Sequence, residues 1–200
     1  SIAIADRASR ADHAQGYNHT TSVTVADRDG TVVSMLISVF DSFGSATWVP
    51  EGGFFLNDRL LSFSRDPESP NAPAGGKRPV HTLSPAMVID GERVVGISTP
   101  SADGQVQALL QVLLAHLDEG EDMGLAIERP RWRITDGELH IEEDLDSALA
   151  DALRDLGHEI VLSESGGGLF GSVVAAEFNR TSGLVSAWAD PRRESWAGAW

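Results

Sequence analysis

The sequence predicts an α+β protein, because paired β-type runs alternate with two segments of helical periodicity. Four short turns, each flanked by apolar runs, are typical of β-hairpins: Asp29-Gly30, Asp90-Gly91, Asp136-Gly137 and the stretch from Asn179 to Gly183. Mostly antiparallel strands with a few helices indicate a layered α+β fold, and periodicity alone predicts no more than that.

The strands are predicted on either side of these turns. The first hairpin joins Val23 and Val25 to a run from Val32 to Val39. The other three pair residues 87–89 with 94–97, 133–135 with 139–141, and 173–178 with 184–188. Two helices are predicted from stripes of apolar residues at helical spacing, Val106, Leu109, Leu110, Leu113, Leu114 and Leu117, then Leu145, Leu149, Leu153 and Leu156.

Helix boundaries follow from the residues around these stripes. Asp103 lies near the start of the first helix and Gly120 beyond its end, while Gly157 occupies a left-handed C-cap position after the second. A weaker helical turn over 123–128 stops before Pro130. Residues 64–79 are rich in Pro, Gly, Ser and Asn and predict a long loop, which in compact domains is often functional.

Composition excludes several classes of function. The 30 acidic and 15 basic residues give a formal charge of −15, which disfavours nucleic acid and anionic membranes as partners. The absence of cysteine excludes disulfides, thiolate catalysis and zinc–thiolate sites, but it leaves the compartment open. No apolar run approaches the roughly 20 residues of a membrane span. The start of the chain lacks both signal-peptide features and an initiator Met, so we expect a piece of a longer protein.

A set of collinear motifs resembles the small, catalytic subunit of gamma-glutamyltransferases, which are N-terminal-nucleophile hydrolases. The likeness runs from Thr20 to Arg193, about nine-tenths of the chain. In chain order the motifs are TTSVTVADRDG (20–30), FGS (43–45), GFFLNDR (53–59), GKRP (76–79), LSP (83–85), LQVLL (110–114), AIERPR (126–131) and ADPRR (189–193). Each is weak alone, and together they form a specific signal.

The resemblance implies a four-layer αββα sandwich and a precursor that cuts itself before Thr20. Residues 1–19 are then an upstream processing segment, and 20–200 form the catalytic domain. The expected partners are the large subunit, made from the upstream half of the same precursor, and a small-molecule amide substrate. No metal or organic cofactor is implied. His13 and His19 lack the spacing of a metal site, and the glycines at 166–168 predict a flexible turn.

The expected nucleophile is the Thr20 hydroxyl, which becomes reactive once its own α-amine is freed by the cut. An α-amine has a pKa of about 7.7–8.0, which suits it to act as the base near neutral pH. Three alternatives stay open. Thr20 and Thr21 match an ordinary pair of β-formers at a strand start, Thr21 is a lesser rival nucleophile, and Ser1 is another if the chain begins with a free amine.

Other residues receive their expected roles from the resemblance. Ser38 matches a hydroxyl residue that bonds the nucleophile, although it also suits an outward strand face. Ser101 and Ala102 match a Gly-Gly pair whose backbone N–H groups form the oxyanion hole. If the glycines are required for special φ/ψ angles, Ser-Ala could distort that hole.

The expected substrate-binding positions depart from the family. Phe40, Arg59, Ser62 and the pair His81-Thr82 stand where the family holds an α-amino and an α-carboxylate group with Asn, Gln, Asp and Ser-Ser. A pocket with Arg59 and without the Asp should bind a cationic amine worse and an anionic or neutral acyl group better. Alternatively, Arg59 faces solvent or pairs with Asp58 or an acidic partner.

The sequence therefore predicts an autoprocessed amidohydrolase or acyltransferase that cleaves a γ-glutamyl or related acyl amide. A non-catalytic homologue that serves as a subunit or binding module is the alternative, in which the altered pocket reflects lost activity.

Overall fold

A computed structural model describes residues 20–166 and 168–200. The expectations for Ser1, for the segment 1–19 with His13 and His19, and for Gly167 lie outside the described residues. The described chain divides into two compact units. We call Thr20 together with Ile37–Thr82 the loop unit, and Thr21–Leu36 together with Leu83–Trp200 the sandwich unit.

The chain contains eleven described strands and three α-helices. The strands are β1 (Thr21–Ala26), β2 (Val32–Ile37), β3 (Trp48–Val49), β4 (Phe54–Phe55), β5 (Ala86–Asp90), β6 (Arg93–Ser98), β7 (Trp132–Thr135), β8 (Glu138–Glu142), β9 (Ile160–Ser163), β10 (Val174–Asn179) and β11 (Val185–Ala189). The helices are α1 (Gln105–Leu113), which continues as a π-helical turn over Leu114–Asp118, α2 (Met123–Glu128) and α3 (Ser147–Asp155). The α+β prediction is confirmed, and so are all four predicted hairpins.

The main sheet of the sandwich unit has the strand order β11-β10-β6-β5 and is antiparallel throughout. One of its faces packs against α1 and α2. The buried core between them consists of Val95, Ile97, Leu109, Val112, Ala115, Met123, Ala126, Ile127, Val173 and Ala175. The apolar stripe predicted for the first helix is therefore split, since Leu109 is buried whereas Val106 and Leu110 are exposed. Val112, which was not part of that stripe, is buried.

The β1–β2 hairpin packs on the opposite face of this main sheet. Gly96 allows the close approach, because a Cβ there would lie 3.0 Å from Val32 Cγ1 and 3.2 Å from the Val33 carbonyl oxygen. Helices, main sheet and hairpin thus form three layers in the order α, β, β. The outward face of the hairpin is apolar and exposed, and we call it the outer face: Val23, Val25, Val33, Met35 and Ile37.

A second sheet of the sandwich unit has the order β7-β8-β9, with β8 and β9 parallel. Strand β9 was not predicted from the sequence, since it has only four residues and no turn signal links it to β8. Helix α3 connects the two parallel strands, as a crossover requires. Asp146 caps α3 by accepting a hydrogen bond from the Ala148 N–H, and Gly157 ends it at a φ of +91°, as predicted.

Buried ion pairs join the second sheet to the end of the chain. Arg131, 1% exposed, pairs with Asp190 at 2.7 Å, and Arg192 pairs with Glu142 at 2.6 Å. The Arg131 N–H also donates to Glu142, and its guanidinium donates to the Phe170 carbonyl. Asp190 and Arg192 of the ADPRR motif therefore form structural ion pairs.

The loop unit contains little regular structure. Its described elements are the short β3–β4 hairpin and a 3₁₀ turn over Arg59–Ser62. The predicted long loop over 64–79 is confirmed as turns and bends, with Lys77 donating to the carbonyls of Pro70 and Ala72. Among the described helices, none is long and apolar enough to cross a membrane.

Candidate active site

Thr20 and Ser38 lie at the same end of the β1–β2 hairpin. Thr20 is the residue before β1 and is half-buried, and Ser38 is the residue after β2. The Ser38 hydroxyl oxygen accepts a hydrogen bond from the Phe40 N–H at 3.1 Å, so its own proton is available to another acceptor. The hairpin thus explains how two hydroxyl residues 18 positions apart in sequence come to occupy one end of a β-ribbon.

Phe40 and Arg59 contact each other in the loop unit. The Arg59 guanidinium carbon lies 5.6 Å from the centre of the Phe40 ring, within cation–π range. Phe40 is 7% exposed and has a φ of +82°, an unusual backbone conformation for an aromatic residue. Within the described ranges Arg59 makes no salt bridge. The neighbouring Asp58 carboxylate accepts a hydrogen bond from the Asp41 N–H.

Burial makes the Arg59 charge costly. Desolvation lowers the pKa of Arg59 from its ordinary value, and the nearby Asp58 charge only partly opposes that shift. A half-buried guanidinium over an aromatic ring, without a bidentate carboxylate, is stabilised by any anion that reaches it.

His81 shares this positive environment. Desolvation lowers its pKa below the ordinary value, and the charges of Arg59 and Arg78 lower it further. This environment therefore favours the neutral imidazole of His81, and the positive charge of the cluster comes from Arg59 and Arg78. Its neighbour Thr82 is half-buried.

Ser62 ends the 3₁₀ turn that begins at Arg59. Residues three apart in such a turn lie on the same side, so Ser62 and Arg59 belong to one surface. The Ser62 carbonyl accepts from Asn71 Nδ2 at 2.6 Å, which connects the turn to the long loop. All five expected substrate-binding residues thus lie in the loop unit. Arg59 contacts Phe40 and affects His81 electrostatically, Ser62 shares the turn of Arg59, and Thr82 follows His81 in sequence.

Ser101 and Ala102 form a buried turn in the sandwich unit, between β6 and α1. Their φ angles are +109° and +46°, and the residues are 2% and 6% exposed. Positive φ is rare outside glycine, so this turn has a glycine-like backbone although neither residue is glycine. Among the residues that the structure describes, the N–H groups of Ser101 and Ala102 donate to no protein acceptor.

The side chains that surround this turn were not predictable from the sequence. Arg133, on β7, donates to the Ser101 hydroxyl and to the Leu169 carbonyl, each at 2.8 Å, and it forms a salt bridge with Asp103. The sequence predicts Asp103 only as a helix-start residue and Arg133 only as part of a strand. Sequence spacing gave no signal, because Arg133 is 32 residues from Ser101.

No group of three or more metal-ligating side chains that could hold a metal ion occurs in the described ranges. The candidate site has three described features. They are two hydroxyl residues at one end of the hairpin, a positively charged cluster around Arg59, and the buried Ser101-Ala102 turn with its free backbone donors.

Comparisons with known proteins give a family match and a fold match. The family model described as gamma-glutamyltranspeptidase matches residues 3–200. The chain is 31% identical to the oxamate amidohydrolase proenzyme of Klebsiella pneumoniae, across 89% of this chain and 35% of that protein. It is 28% identical to the glutathione hydrolase proenzyme of Bacillus subtilis, across 87% of this chain and 30% of that protein.

A solved structure of a Helicobacter pylori gamma-glutamyltranspeptidase variant, T380A, superposes with a TM-score of 0.75 at 28% identity. The match covers 86% of this chain and 100% of that chain. The chain therefore spans about a third of the length of the curated relatives, 35% and 30%, and has the fold of one whole chain of the solved protein.

Proposed function

The chain belongs to the gamma-glutamyltranspeptidase family, and on that premise we propose that it is the catalytic part of an N-terminal-threonine amidohydrolase or acyltransferase. In this proposal the precursor cuts itself between His19 and Thr20, and Thr20 then forms an acyl-enzyme with an amide substrate. The domain boundary at residues 19 and 20 follows from the same cut.

The buried turn at Ser101-Ala102 is the observation that carries the proposal. Buried N–H groups without acceptors cost free energy, so a fold keeps them where a bound group completes the hydrogen bonds. Two adjacent donors at positive φ suit a carbonyl oxygen that becomes negative during reaction. We assign the Ser101 and Ala102 N–H groups this oxyanion-stabilising role.

The first half-reaction forms the acyl-enzyme. The Thr20 hydroxyl oxygen bonds to the substrate carbonyl carbon, its proton moves to the Thr20 α-amine, and the carbonyl oxygen becomes an oxyanion. When this intermediate collapses, the carbon–nitrogen bond breaks and the ammonium returns the proton to the leaving nitrogen. Ser38, whose hydroxyl proton is not used by Phe40, is assigned to orient the nucleophile.

The second half-reaction releases the acyl group. Water, or the amine of an acceptor, attacks the ester carbonyl and loses a proton to the Thr20 α-amine. The ester bond then breaks, and the Thr20 oxygen recovers a proton. The same turn serves both half-reactions, because each passes through a tetrahedral oxyanion.

For the acyl donor we propose an amide whose acyl group bears a carboxylate and no ammonium group. Arg59 is half-buried over Phe40 without a salt bridge in the described ranges, and Ser62 supplies a neutral hydroxyl on the same turn. Phe40, Arg59, Ser62, His81 and Thr82 are the assigned binding residues. One relative is named for oxamate, a small amide that carries a carboxylate, which supports this class of donor.

The proposed partner is the upstream half of the same precursor. Five aliphatic side chains of the outer face are exposed on the hairpin, a patch that soluble proteins normally cover. The remaining two-thirds of the relatives' length supplies enough chain to cover it and to add the second helical layer of an αββα sandwich.

The decisive experiment follows cleavage of the precursor that contains both halves. Intact mass and N-terminal sequencing should find a new N-terminus at Thr20. Thr20→Ala should leave the precursor uncut and reduce amide hydrolysis at least about 1,000-fold, since a nucleophile is lost. Thr21→Ala is the matched control and should still be cut.

Recovery of an uncut, inactive precursor in the unmodified protein would contradict the proposal and favour a non-catalytic subunit. A new N-terminus at Thr21 would reassign the nucleophile by one residue.

A further inference from the structure

The Ser101-Ala102 turn holds a conformation that its own residues do not favour. At a φ of +109° the Ser101 side chain is strained against its backbone, and Ala102 at +46° adds to that strain. Such conformations persist only where the surroundings over-determine them. The fold must therefore contain contacts that favour this turn over a relaxed one.

The Ser101 side chain provides the first of these contacts. Its hydroxyl donates to the Leu169 carbonyl and accepts from the Arg133 guanidinium, each at 2.8 Å. A buried hydroxyl with both donor and acceptor satisfied fixes the rotamer of Ser101 and hence the direction of its backbone. Glycine, which has no such side chain, could not make either bond.

Arg133 is itself fixed in place. Its guanidinium bonds the Leu169 carbonyl and pairs with Asp103, the residue that follows the turn. Gly104 makes room for it, because a Cβ at that position would lie 2.9 Å from Arg133 Nε and 3.0 Å from the Ser101 hydroxyl oxygen. Arg133 therefore contacts both sides of the turn, through Ser101 and Asp103, and is 8% exposed.

We propose that Arg133 is a positioning residue that holds the Ser101 and Ala102 N–H groups in their productive direction, and that the Ser101–Arg133–Asp103 cluster replaces the conformational freedom of glycine. This inference rests on the proposed function of the turn. Arg133 acts through Ser101 and Asp103, and it is assigned no contact with the reacting atoms. Loss of Arg133 should therefore lower the reaction rate strongly and weaken substrate binding much less.

The test uses Arg133→Met and Ser101→Gly, singly and together, in the full precursor. Arg133→Met should lower kcat by about 10–100-fold, part of the roughly 10²–10³-fold cost of losing an oxyanion donor, with KM within about twofold. Adding Ser101→Gly should restore kcat to within about fivefold of the unmodified enzyme, because glycine adopts positive φ without support. Arg154→Met, which removes an exposed arginine of α3, is the control and should leave kcat unchanged.

A stability cycle separates failure of this inference from failure of the proposed function. Urea unfolding of the four proteins should show that Arg133→Met destabilises the protein more when Ser101 is present than when Ser101→Gly has been made, whether or not the protein is active. Additive stabilities would overturn the cluster. Coupled stabilities with an unchanged kcat in Arg133→Met would overturn its positioning role. If the stability effects of the two substitutions are coupled but the unmodified protein is not cleaved before Thr20, the proposed function is refuted instead.

Discussion

The buried turn at Ser101-Ala102 and the cluster around Arg59 are held in opposite ways. The turn is enclosed by side-chain hydrogen bonds and a salt bridge from β7 and the segment around Leu169. The Arg59 cluster lies among loops, and the described contacts of its guanidinium are a ring face and nearby charges. One part is over-determined, and the other is lightly constrained.

This difference indicates where the family can change. A substitution within the turn disturbs several buried partners at once, so we expect the turn to which we assign the oxyanion to resist single replacements. A substitution at Arg59 or Ser62 changes the surface that we propose binds the acyl donor, while it breaks few contacts of the fold. Two relatives of similar identity to this chain are named for different compounds, oxamate and glutathione. A constant turn combined with a variable binding surface would allow such a difference.

The largest expected effect is that of Asp190→Asn, in the buried ion pairs that join the second sheet to the end of the chain. The change leaves Arg131 buried without its carboxylate, so we expect a loss of about 3–5 kcal/mol in the free energy of unfolding, measured with urea. Asp151→Asn is the matched control, because Asp151 forms an exposed pair with Arg154 that contributes at most about 1 kcal/mol. Equal losses in the two variants would show that the buried network is not a special constraint.

Arg59→Gln tests the lightly constrained part. For a donor whose acyl group bears a carboxylate, kcat/KM should fall about 10–100-fold, because a charge-assisted hydrogen bond is lost. For a neutral acyl donor it should change less than about threefold, and stability should be nearly unchanged. Arg65→Gln, which removes an exposed arginine of the loop unit, is the control. A similar loss for neutral and anionic donors would refute charge recognition by Arg59.

The smallest expected effect concerns His81. An NMR titration should place its pKa below the ordinary value of about 6.5, and Arg78→Gln should raise it by removing one of the opposing charges. Because the folded-state pKa lies below the unfolded value, stability is complete above about pH 6.5 and falls as pH drops through the folded-state pKa. The loss of melting temperature on acidification should therefore be smaller in His81→Gln, and an equal loss would contradict the positive environment.

Much of the fold was predictable because local signals agreed with the tertiary structure. Each predicted hairpin has a turn residue with positive φ where it was needed, such as Gly30 at +88° and Gly137 at +88°. Strand β9 was missed because it pairs in parallel with β8, a partner that only the crossover through α3 specifies.

The site was less predictable for a related reason. The motifs indicated Ser101 and Ala102, but no local pattern shows that Arg133 lies against them. Whether Ser-Ala could keep a glycine-like turn depended on that distant contact, so sequence reasoning could only leave the question open. The role of Thr20 stays a prediction, since its base exists only after a cut.

The outer face of the β1–β2 hairpin has a consequence for biosynthesis. Val23, Val25, Val33, Met35 and Ile37 form a two-stranded aliphatic surface of the kind that chaperones bind and that initiates aggregation when it is left in water. If both halves are translated as one polypeptide, this surface meets its cover at an effective concentration set by the linker, before any cut occurs. Late self-cleavage then protects the nascent protein from precipitation as well as activating it, and the chain expressed alone should accumulate in inclusion bodies.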